Sequence, residues 1–359
     1  MSLSVKIKKK LPGFELDVAF ECRGTLGILG ASGCGKSMTL KSIAGIETPD
    51  EGRVVLGERV LYDSAGKQCL KPQKRRVGYL FQDYALFPNM TVEENIASGL
   101  KRSKIQKRER TQEMIRRFRL QGQETKYPGE LSGGQKQRTA LARILAYEPE
   151  VLLLDEPFSA LDSFLRDQLL WELTEMLKSY PGDVIIVSHN RDELYELSEE
   201  ILVMEAGKGI QFGTAGEVFR KPEYLETARL TGCRNLSRAR RISEREVEAL
   251  DFGCILRTGE DIPADITHVG IRAEDFKPWK EEGENCFHPV AASVREKPLE
   301  VQVTFRNKGK EGREICWKLS REAWEKSRAK AVPPCLRVSP EAVLLLRERP
   351  KREEIGGNS

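Results

Sequence analysis

Three short segments in the first 225 residues of the chain are apolar throughout. They cover residues 26–29, 151–154 and 184–187. Continuous apolar runs of this length are typical of strands that are buried on both faces of a parallel sheet. Helical patterns lie between them, including residues 36–44 and a strongly charged stretch within residues 92–127. This alternation predicts an α/β fold with a helical insertion beside the sheet.

The pattern changes beyond about residue 228, where short segments alternate between apolar and polar positions. Residues 246–250 and 299–305 are examples, with turn residues between such segments. Alternation with this period indicates half-exposed antiparallel strands. We therefore predict an α/β domain at residues 1–228 with a helical subdomain at about 85–145, a small β-rich domain at 229–350, and a tail at 351–359.

Length and composition agree with two globular domains. The chain has 359 residues, of which 39% are hydrophobic, and this is enough to build packed cores. Charged residues make up 32% but leave a net charge of only +4, which argues against a nucleic-acid-binding protein. Short basic runs at residues 8–10, 74–76 and 238–241 are expected on solvated faces, with contact to phosphate or lipid headgroups as the alternative.

No segment approaches the ~20 consecutive apolar residues that span a bilayer. The N-terminal residues, MSLSVKIKKK, lack the apolar core of a signal peptide. We therefore expect a cytoplasmic protein, whose work at a membrane would require spanning helices from another subunit. The eight cysteines form no CxxC pair and are accompanied by only three histidines, which predicts reduced thiols rather than disulfides or a zinc site.

A glycine-rich motif follows the first apolar run. It matches GxxxxGK[ST] at Gly30, Ala31, Ser32, Gly33, Cys34, Gly35, Lys36 and Ser37. Its glycines let backbone amides approach phosphates, and the following helix adds its positive end. Lys36 would contact the β- and γ-phosphates of ATP, Ser37 would bind Mg²⁺, and Cys34 would be a small spacer. The flanking strand and helix argue against a chance match.

Two acidic residues follow the second apolar run. Asp155 at the end of that strand could hold Mg²⁺ opposite Ser37. Glu156 could polarise the attacking water as a general base. The alternative is a solvent-facing acidic turn, which the presence of a phosphate loop in the same chain disfavours.

The segment Leu131-Ser132-Gly133-Gly134-Gln135, followed by Lys136-Gln137-Arg138, resembles the signature of the ABC cassette. Its serine and glycines open a helix whose N-terminus suits an anion. The resemblance implies a P-loop ATPase that works as a homodimer. Ser132, Gly133, Gly134 and Gln135 would then close over the γ-phosphate of ATP held by the partner subunit, giving two shared sites.

Further ABC elements occur in the expected order. Gln82 resembles the glutamine that senses Mg²⁺ and the attacking water, residues 159–162 resemble the loop that crosses the dimer interface, and His189 resembles the histidine that contacts the γ-phosphate. A lone histidine after a buried strand could instead be structural. The resemblance thus implies Glu156, His189 and Gln82 as catalytic residues and Ser37, Gln82 and Asp155 as metal ligands, with ATP and Mg²⁺ as cofactors.

Two further features concern the adenine base and the membrane partner. ABC cassettes commonly stack adenine on an N-terminal aromatic residue, for which Leu11 and Phe14 are the nearest candidates, although Phe14 could be a core residue. Leu86, Phe87 and Met90 would suit a groove for a helix of a membrane subunit, with local packing as the alternative.

Residues 52–79 look most like the ATPase of molybdate importers, although sulfate, ferric iron, polyamine and sugar cassettes are alternatives. Residues 269–275 resemble TOBE-type (OB-like) domains, and a polar turn at 308–310 could attract an oxyanion. The resemblance implies a peripheral protein on the cytoplasmic face of the membrane. Its partners would be integral-membrane permease subunits and, indirectly, an external solute-binding protein, with molybdate or tungstate as cargo and no nucleic acid.

Two other classes of protein are less consistent with the sequence. A soluble ABC protein acting on ribosomes or DNA would carry two cassettes or a long coiled coil. A pure oxyanion sensor would not need a complete set of hydrolytic residues.

Overall fold

The computed structural model describes residues 2–101, 103–159, 161–281, 283–308, 312–326 and 332–349. Ala160, the turn residues Gly309 and Lys310, and the tail at 351–359 therefore lie outside the described residues. The chain divides into two compact units, Met1–Gly216 and Glu217–Ser359. The domain limits predicted at residues 228 and 229 stay a prediction.

One sheet contains all the described strands of the first unit. In chain order these are β1 (Leu3–Leu11), β2 (Phe14–Cys22), β3 (Thr25–Gly30), β4 (Glu51–Leu56), β5 (Arg59–Asp63), β6 (Gln68–Cys69), β7 (Val77–Leu80), β8 (Val151–Asp155), β9 (Asp183–Val187), β10 (Glu200–Glu205) and β11 (Lys208–Thr214). Their spatial order is β6-β5-β4-β1-β2-β11-β10-β3-β9-β8-β7. β10, β3, β9, β8 and β7 run parallel to one another, and β1, β2, β4, β5 and β6 pair antiparallel. Between these two groups, β11 is antiparallel to β10 and parallel to β2.

The three apolar runs become the centre of this sheet. β3, β8 and β9 are buried at every position and are hydrogen-bonded in the order β3-β9-β8. Parallel strands are joined by helices that cover both faces of the sheet, and strands buried on both faces are apolar throughout. The continuous apolar runs and the parallel pairing therefore both follow from burial of the sheet between helices. The predicted α/β fold is confirmed.

Helices follow most of the parallel strands. They are α1 (Lys36–Ala44), α2 (Pro72–Arg75), α3 (Val92–Ala97), α4 (Lys104–Arg117), α5 (Gly133–Ala146), α6 (Ser163–Lys178), α7 (Arg191–Leu197) and α8 (Ala215–Arg220), with a 3-10 turn at Pro128–Glu130. The charged stretch forms α4, which buries only Thr111, Met114 and Ile115. α3, α4 and α5 pack together, so the predicted helical insertion consists of these helices. No helix in the described ranges is long and apolar enough to cross a bilayer.

The basic run at residues 74–76 is not wholly solvated, contrary to expectation. Lys74 and Arg76 are exposed, but Arg75 is 0% exposed. Its guanidinium donates to the carbonyl oxygens of Ser42 (2.9 Å) and Ile43 (2.7 Å) at the end of α1. It also donates to the carbonyl oxygen of Leu70 (2.9 Å). A buried cation thus satisfies backbone acceptors that the helix end leaves open, and burial lowers the pKa of Arg75.

Replacing Arg75 by Met is expected to lower the free energy of unfolding by about 2–4 kcal/mol, because several buried carbonyl oxygens lose their donor. Urea unfolding followed by circular dichroism would measure the change. The matched control is Lys74→Met at the exposed neighbouring position, which should change stability by less than about 0.5 kcal/mol. Equal unfolding midpoints for the two variants would contradict the buried role of Arg75.

The second unit is built mainly from antiparallel strands. They are β12 (Asn235–Arg241), β13 (Glu246–Ala249), β14 (Cys254–Arg257), β15 (His268–Ile271), β16 (Lys277–Trp279), β17 (Cys286–Phe287), β18 (Pro289–Glu296), β19 (Glu300–Asn307), β20 (Ile315–Ser320), β21 (Cys335–Arg337) and β22 (Leu344–Leu346). Their sheets have the orders β14-β13-β12-β15-β22, β16-β21-β17 and β18-β19-β20. The helices are α9 (Leu225–Leu230) and α10 (Arg321–Lys326), with a 3-10 turn at Pro340–Ala342. The predicted β-rich second part is confirmed.

The second unit has its own hydrophobic core. It is rich in aromatic side chains, which meet edge to face: Phe252, Phe276, Phe287, Phe305, Trp317 and Trp324. In the basic run at 238–241, Arg238 forms an ion pair of 2.9 Å with Asp251, and this pairing lowers the pKa of the Asp251 carboxyl despite its partial burial. All eight cysteines are among the described residues, and no disulfide joins any of them.

Candidate nucleotide site

The phosphate loop, Gln82, Asp155, Glu156 and His189 lie at one edge of the parallel part of the sheet. The other residues predicted to bind ATP lie at the start of α5; they are Ser132, Gly133, Gly134 and Gln135. β3, β9, β8 and β7 are parallel neighbours, so their carboxyl ends share this edge. The phosphate loop follows β3, Asp155 ends β8, His189 follows β9 and Gln82 follows β7. Open parallel sheets bind ligands in the crevice outside these ends.

The phosphate loop is folded around its own lysine. Lys36 is 6% exposed, and its Nζ donates to the carbonyl oxygens of Gly30 (2.7 Å) and Ala31 (3.0 Å). Gly35, the residue before α1, has a φ of 103°, and a Cβ there would come within 2.8 Å of Leu16. Glycine is required on both grounds. Ala31, Ser32 and Gly33 at the tip are exposed, and Cys34 is buried beneath them.

Asp155 is held by two hydroxyl groups. Ser37 Oγ donates to Asp155 Oδ1 (2.8 Å), and Tyr79 Oη donates to Asp155 Oδ2 (2.8 Å). Burial and the neighbouring Asp155 carboxylate raise the pKa of the Tyr79 phenol far above its usual value, so it stays protonated. Tyr79 could not be identified from the sequence, because an aromatic residue in an apolar strand has the pattern of a core residue.

Glu156 and His189 form a close pair. His189 Nδ1 lies 2.5 Å from Glu156 Oε2. Glu156 has a φ of 52°, and its N–H donates to the carbonyl oxygen of Val187 (2.9 Å), which ties the turn after β8 to the end of β9. The Glu156 side chain is 17% exposed and that of His189 is 60% exposed. Asp155 and Glu156 therefore do not form the solvent-facing acidic turn that was the alternative prediction.

The oxygen atoms at this edge fit Mg²⁺. Ser37 Oγ and an Asp155 carboxylate oxygen already lie within 2.8 Å of one another, and Gln82 is exposed just beyond β7. Hydroxyl, carboxylate and amide oxygens are the ligands that Mg²⁺ prefers, with phosphate and water completing its shell. Within the described ranges, no cluster of three His, Cys, Asp or Glu residues could hold a metal unaided.

The signature-like segment caps the start of α5, where Ser132 is exposed, Gly133 is half-buried and Gly134 is buried. Ser132 Oγ accepts from the N–H of Gln135 (3.3 Å), and Gln135 Oε1 accepts from the N–H of Ser132 (3.0 Å). This reciprocal capping box leaves neighbouring amides at the helix N-terminus open to an anion. A Cβ on Gly134 would meet Leu165 of α6 at 3.1 Å, so a small residue lets the two helices approach.

Two other predicted features have mixed outcomes. Phe14 is half-buried, packs against the core of the first unit and lies beside Gly35, which agrees with the core alternative. Leu11 is half-exposed at the end of β1.

The residues predicted to form a groove for a membrane subunit differ in exposure. Phe87 is 45% exposed, and its ring lies under the Arg143 guanidinium, with 5.3 Å between the guanidinium carbon and the ring centroid. Leu86 and Met90 are half-buried.

Comparison with known proteins gives consistent matches. A family model described as ABC transporter matches residues 15–159. The chain is 42% identical over 251 residues to the sulfate/thiosulfate import ATP-binding protein CysA 2 of Chromobacterium violaceum, covering 69% of this chain and 66% of that protein. It is 45% identical over 230 residues to the probable sulfate/thiosulfate import ATP-binding protein CysA of Chlorella vulgaris, covering 62% of this chain and 95% of that protein.

A solved structure supports the same assignment. The dimeric ATP-binding cassette MJ0796, in a post-hydrolysis state bound to ADP and Pi, superposes with a TM-score of 0.51 at 26% identity, covering 60% of this chain and 99% of that chain. The chain thus spans about two thirds of the length of the Chromobacterium relative and nearly all of the Chlorella relative. By sequence identity, fold and the order of its nucleotide-site motifs, this chain belongs to the family of ABC transporter ATP-binding proteins.

Proposed function

We propose that this chain is the ATP-hydrolysing subunit of an importer for sulfate or thiosulfate. The assignment of the cargo rests on sequence identities of 42% and 45% to two proteins whose names specify sulfate/thiosulfate import. Molybdate or tungstate, the cargo expected from residues 52–79, is not what these relatives support. The sulfate alternative replaces it.

The site geometry supports hydrolysis of ATP. Lys36 would exchange its bonds to loop carbonyls for the β- and γ-phosphates, while exposed amides at Ala31, Ser32 and Gly33 cradle them. Glu156 would take a proton from the attacking water, with its carboxylate oriented by His189. The histidine and Gln82 would meet the γ-phosphate end of the nucleotide.

Ser37, Asp155 and Gln82 would hold Mg²⁺ at the same edge. The metal would neutralise charge on the β- and γ-phosphate oxygens. This chain would contribute oxygen ligands that lie together: the Ser37 hydroxyl donates to the Asp155 carboxylate at 2.8 Å.

Two copies of the chain would form the working ATPase. The signature-like residues lie at the start of α5, whereas the phosphate loop leads into α1; they are Ser132, Gly133, Gly134 and Gln135. A capped helix N-terminus is suited to an anion presented by a partner. The solved relative is described as a dimer. Permease subunits would dock near Phe87 at the cytoplasmic face of the membrane, and a solute-binding protein would act through them.

Growth on sulfate tests the proposed cargo. Expressed in a bacterium that lacks the ATPase subunit of its sulfate importer, the chain is expected to restore growth on sulfate as sole sulfur source and uptake of ³⁵S-sulfate. The Glu156→Gln variant, expressed at the same level, is the negative control. Restoration of molybdate uptake instead, in a strain lacking the molybdate ATPase, would contradict the sulfate assignment.

A further inference from the structure

The Asp155 carboxylate has a different hydroxyl donor on each oxygen. Ser37 occupies Oδ1 and Tyr79 occupies Oδ2, both at 2.8 Å, and Asp155 is only 6% exposed. A buried carboxylate with a donor on each oxygen is held in one orientation. The proposed metal site uses Ser37 and Asp155, but it gives no role to Tyr79.

The position of Tyr79 is fixed by the sheet and by packing. β7 pairs parallel with β8 so that Tyr79 lies opposite Leu153, two residues before Asp155. The Tyr79 ring packs on Phe81 with 4.4 Å between ring centroids, and the side chain is 8% exposed. Because an ionised carboxylate can only accept, the phenol must be the donor in this pair. A rigid ring thus delivers one hydrogen bond to one carboxylate oxygen.

We propose that Tyr79 is a positioning residue for the metal site, fixing the Asp155 carboxylate so that its Oδ1 side faces Ser37 and Mg²⁺. This inference rests on the proposed function, since it assumes that Asp155 and Ser37 bind Mg²⁺ with ATP. Groups that hydrogen-bond a ligating side chain generally tune metal affinity by about 10–100-fold. Tyr79 therefore sets how strongly the metal strengthens nucleotide binding.

The test compares Tyr79→Phe with Tyr84→Phe in the full-length chain. Tyr84 is a matched control: it is 4% exposed, lies five residues further along the chain, and its hydroxyl has no hydrogen-bond partner among the described residues. Each substitution removes one buried phenolic oxygen, but only that of Tyr79 donates to Asp155. The affinity for a fluorescent ATP analogue is measured with Mg²⁺ and with EDTA, and the Mg²⁺ concentration for half-maximal ATP hydrolysis is measured in parallel.

We expect the affinity in EDTA to stay within about twofold of wild type for both variants. In Tyr79→Phe, the gain in affinity on adding Mg²⁺ should fall by about tenfold, and the half-maximal Mg²⁺ concentration should rise by a similar factor. Tyr84→Phe should keep the wild-type values for both.

Two results would contradict the role of Tyr79 without contradicting the proposed metal site. The first is an increase in ATP-analogue affinity on adding Mg²⁺ that is the same in Tyr79→Phe as in the wild type. The second is an equal loss of affinity in EDTA and in Mg²⁺, because a purely structural role would affect both conditions equally. If the wild-type chain itself showed no Mg²⁺ dependence of either binding or hydrolysis, the proposed metal site would fail and the inference with it.

Discussion

Replacing Glu156 by Gln is expected to lower ATP turnover by about 10²–10⁴-fold while preserving ATP-dependent dimerisation. The amide keeps the shape of the side chain and can still contact His189, whose Nδ1 lies 2.5 Å from the carboxylate, but it cannot accept a proton from water. Steady-state phosphate release measures the first effect, and size-exclusion chromatography with and without ATP measures the second.

The control for this prediction is Glu175→Gln, the same chemical change at an exposed position of α6 that pairs with Lys178. It should leave turnover unchanged. Wild-type-like hydrolysis in Glu156→Gln would remove Glu156 from the role of general base. Loss of both hydrolysis and dimerisation would show instead that the substitution disturbs nucleotide binding.

Replacing Lys36 by Ala is expected to weaken ATP binding by at least about 100-fold, because charge-assisted hydrogen bonds to two phosphates are lost. The loop carbonyls of Gly30 and Ala31 would also lose the ammonium that holds the loop in shape. Equilibrium binding of a fluorescent ATP analogue measures the change. Lys41→Ala, on the same helix but at its far end, should bind ATP as the wild type does. Near-normal affinity in Lys36→Ala would contradict the proposed phosphate contact.

The sequence predicted the central sheet well, because its physical cause is local. A strand buried on both faces must be apolar throughout, so residues 151–154 and 184–187 identify β8 and β9 without knowledge of their neighbours. The capping box at Ser132 and Gln135 is equally local, since its partners are three residues apart. Features with such causes are visible in the one-dimensional pattern.

Arg75 and Tyr79 were missed because their partners are distant in the chain. Arg75 reaches carbonyl oxygens at Ser42 and Ile43, and Tyr79 reaches Asp155. In the sequence, Arg75 is one member of a basic run, and Tyr79 is one position of an apolar strand. Only the packing of β7 and α2 against the elements around them gives these residues their roles.

The molybdate expectation has a related explanation. It rested on residues 52–79, which form β4, β5, β6, α2 and the start of β7. At least two of these residues serve the cassette itself, since Arg75 donates to a carbonyl oxygen at the end of α1 and Tyr79 donates to Asp155. These two residues are therefore explained by the fold and the nucleotide site, without reference to cargo.

The shared edge of β3, β7, β8 and β9 also constrains how the gene can change. Each strand carries a residue of the site at its end or within two residues of it. Deleting one codon within such a strand would draw that residue back by about 3.3 Å and turn it to the opposite face of the sheet. In-frame insertions and deletions should therefore survive at exposed turns such as residues 65–67, whereas these four strands should not tolerate a change in length.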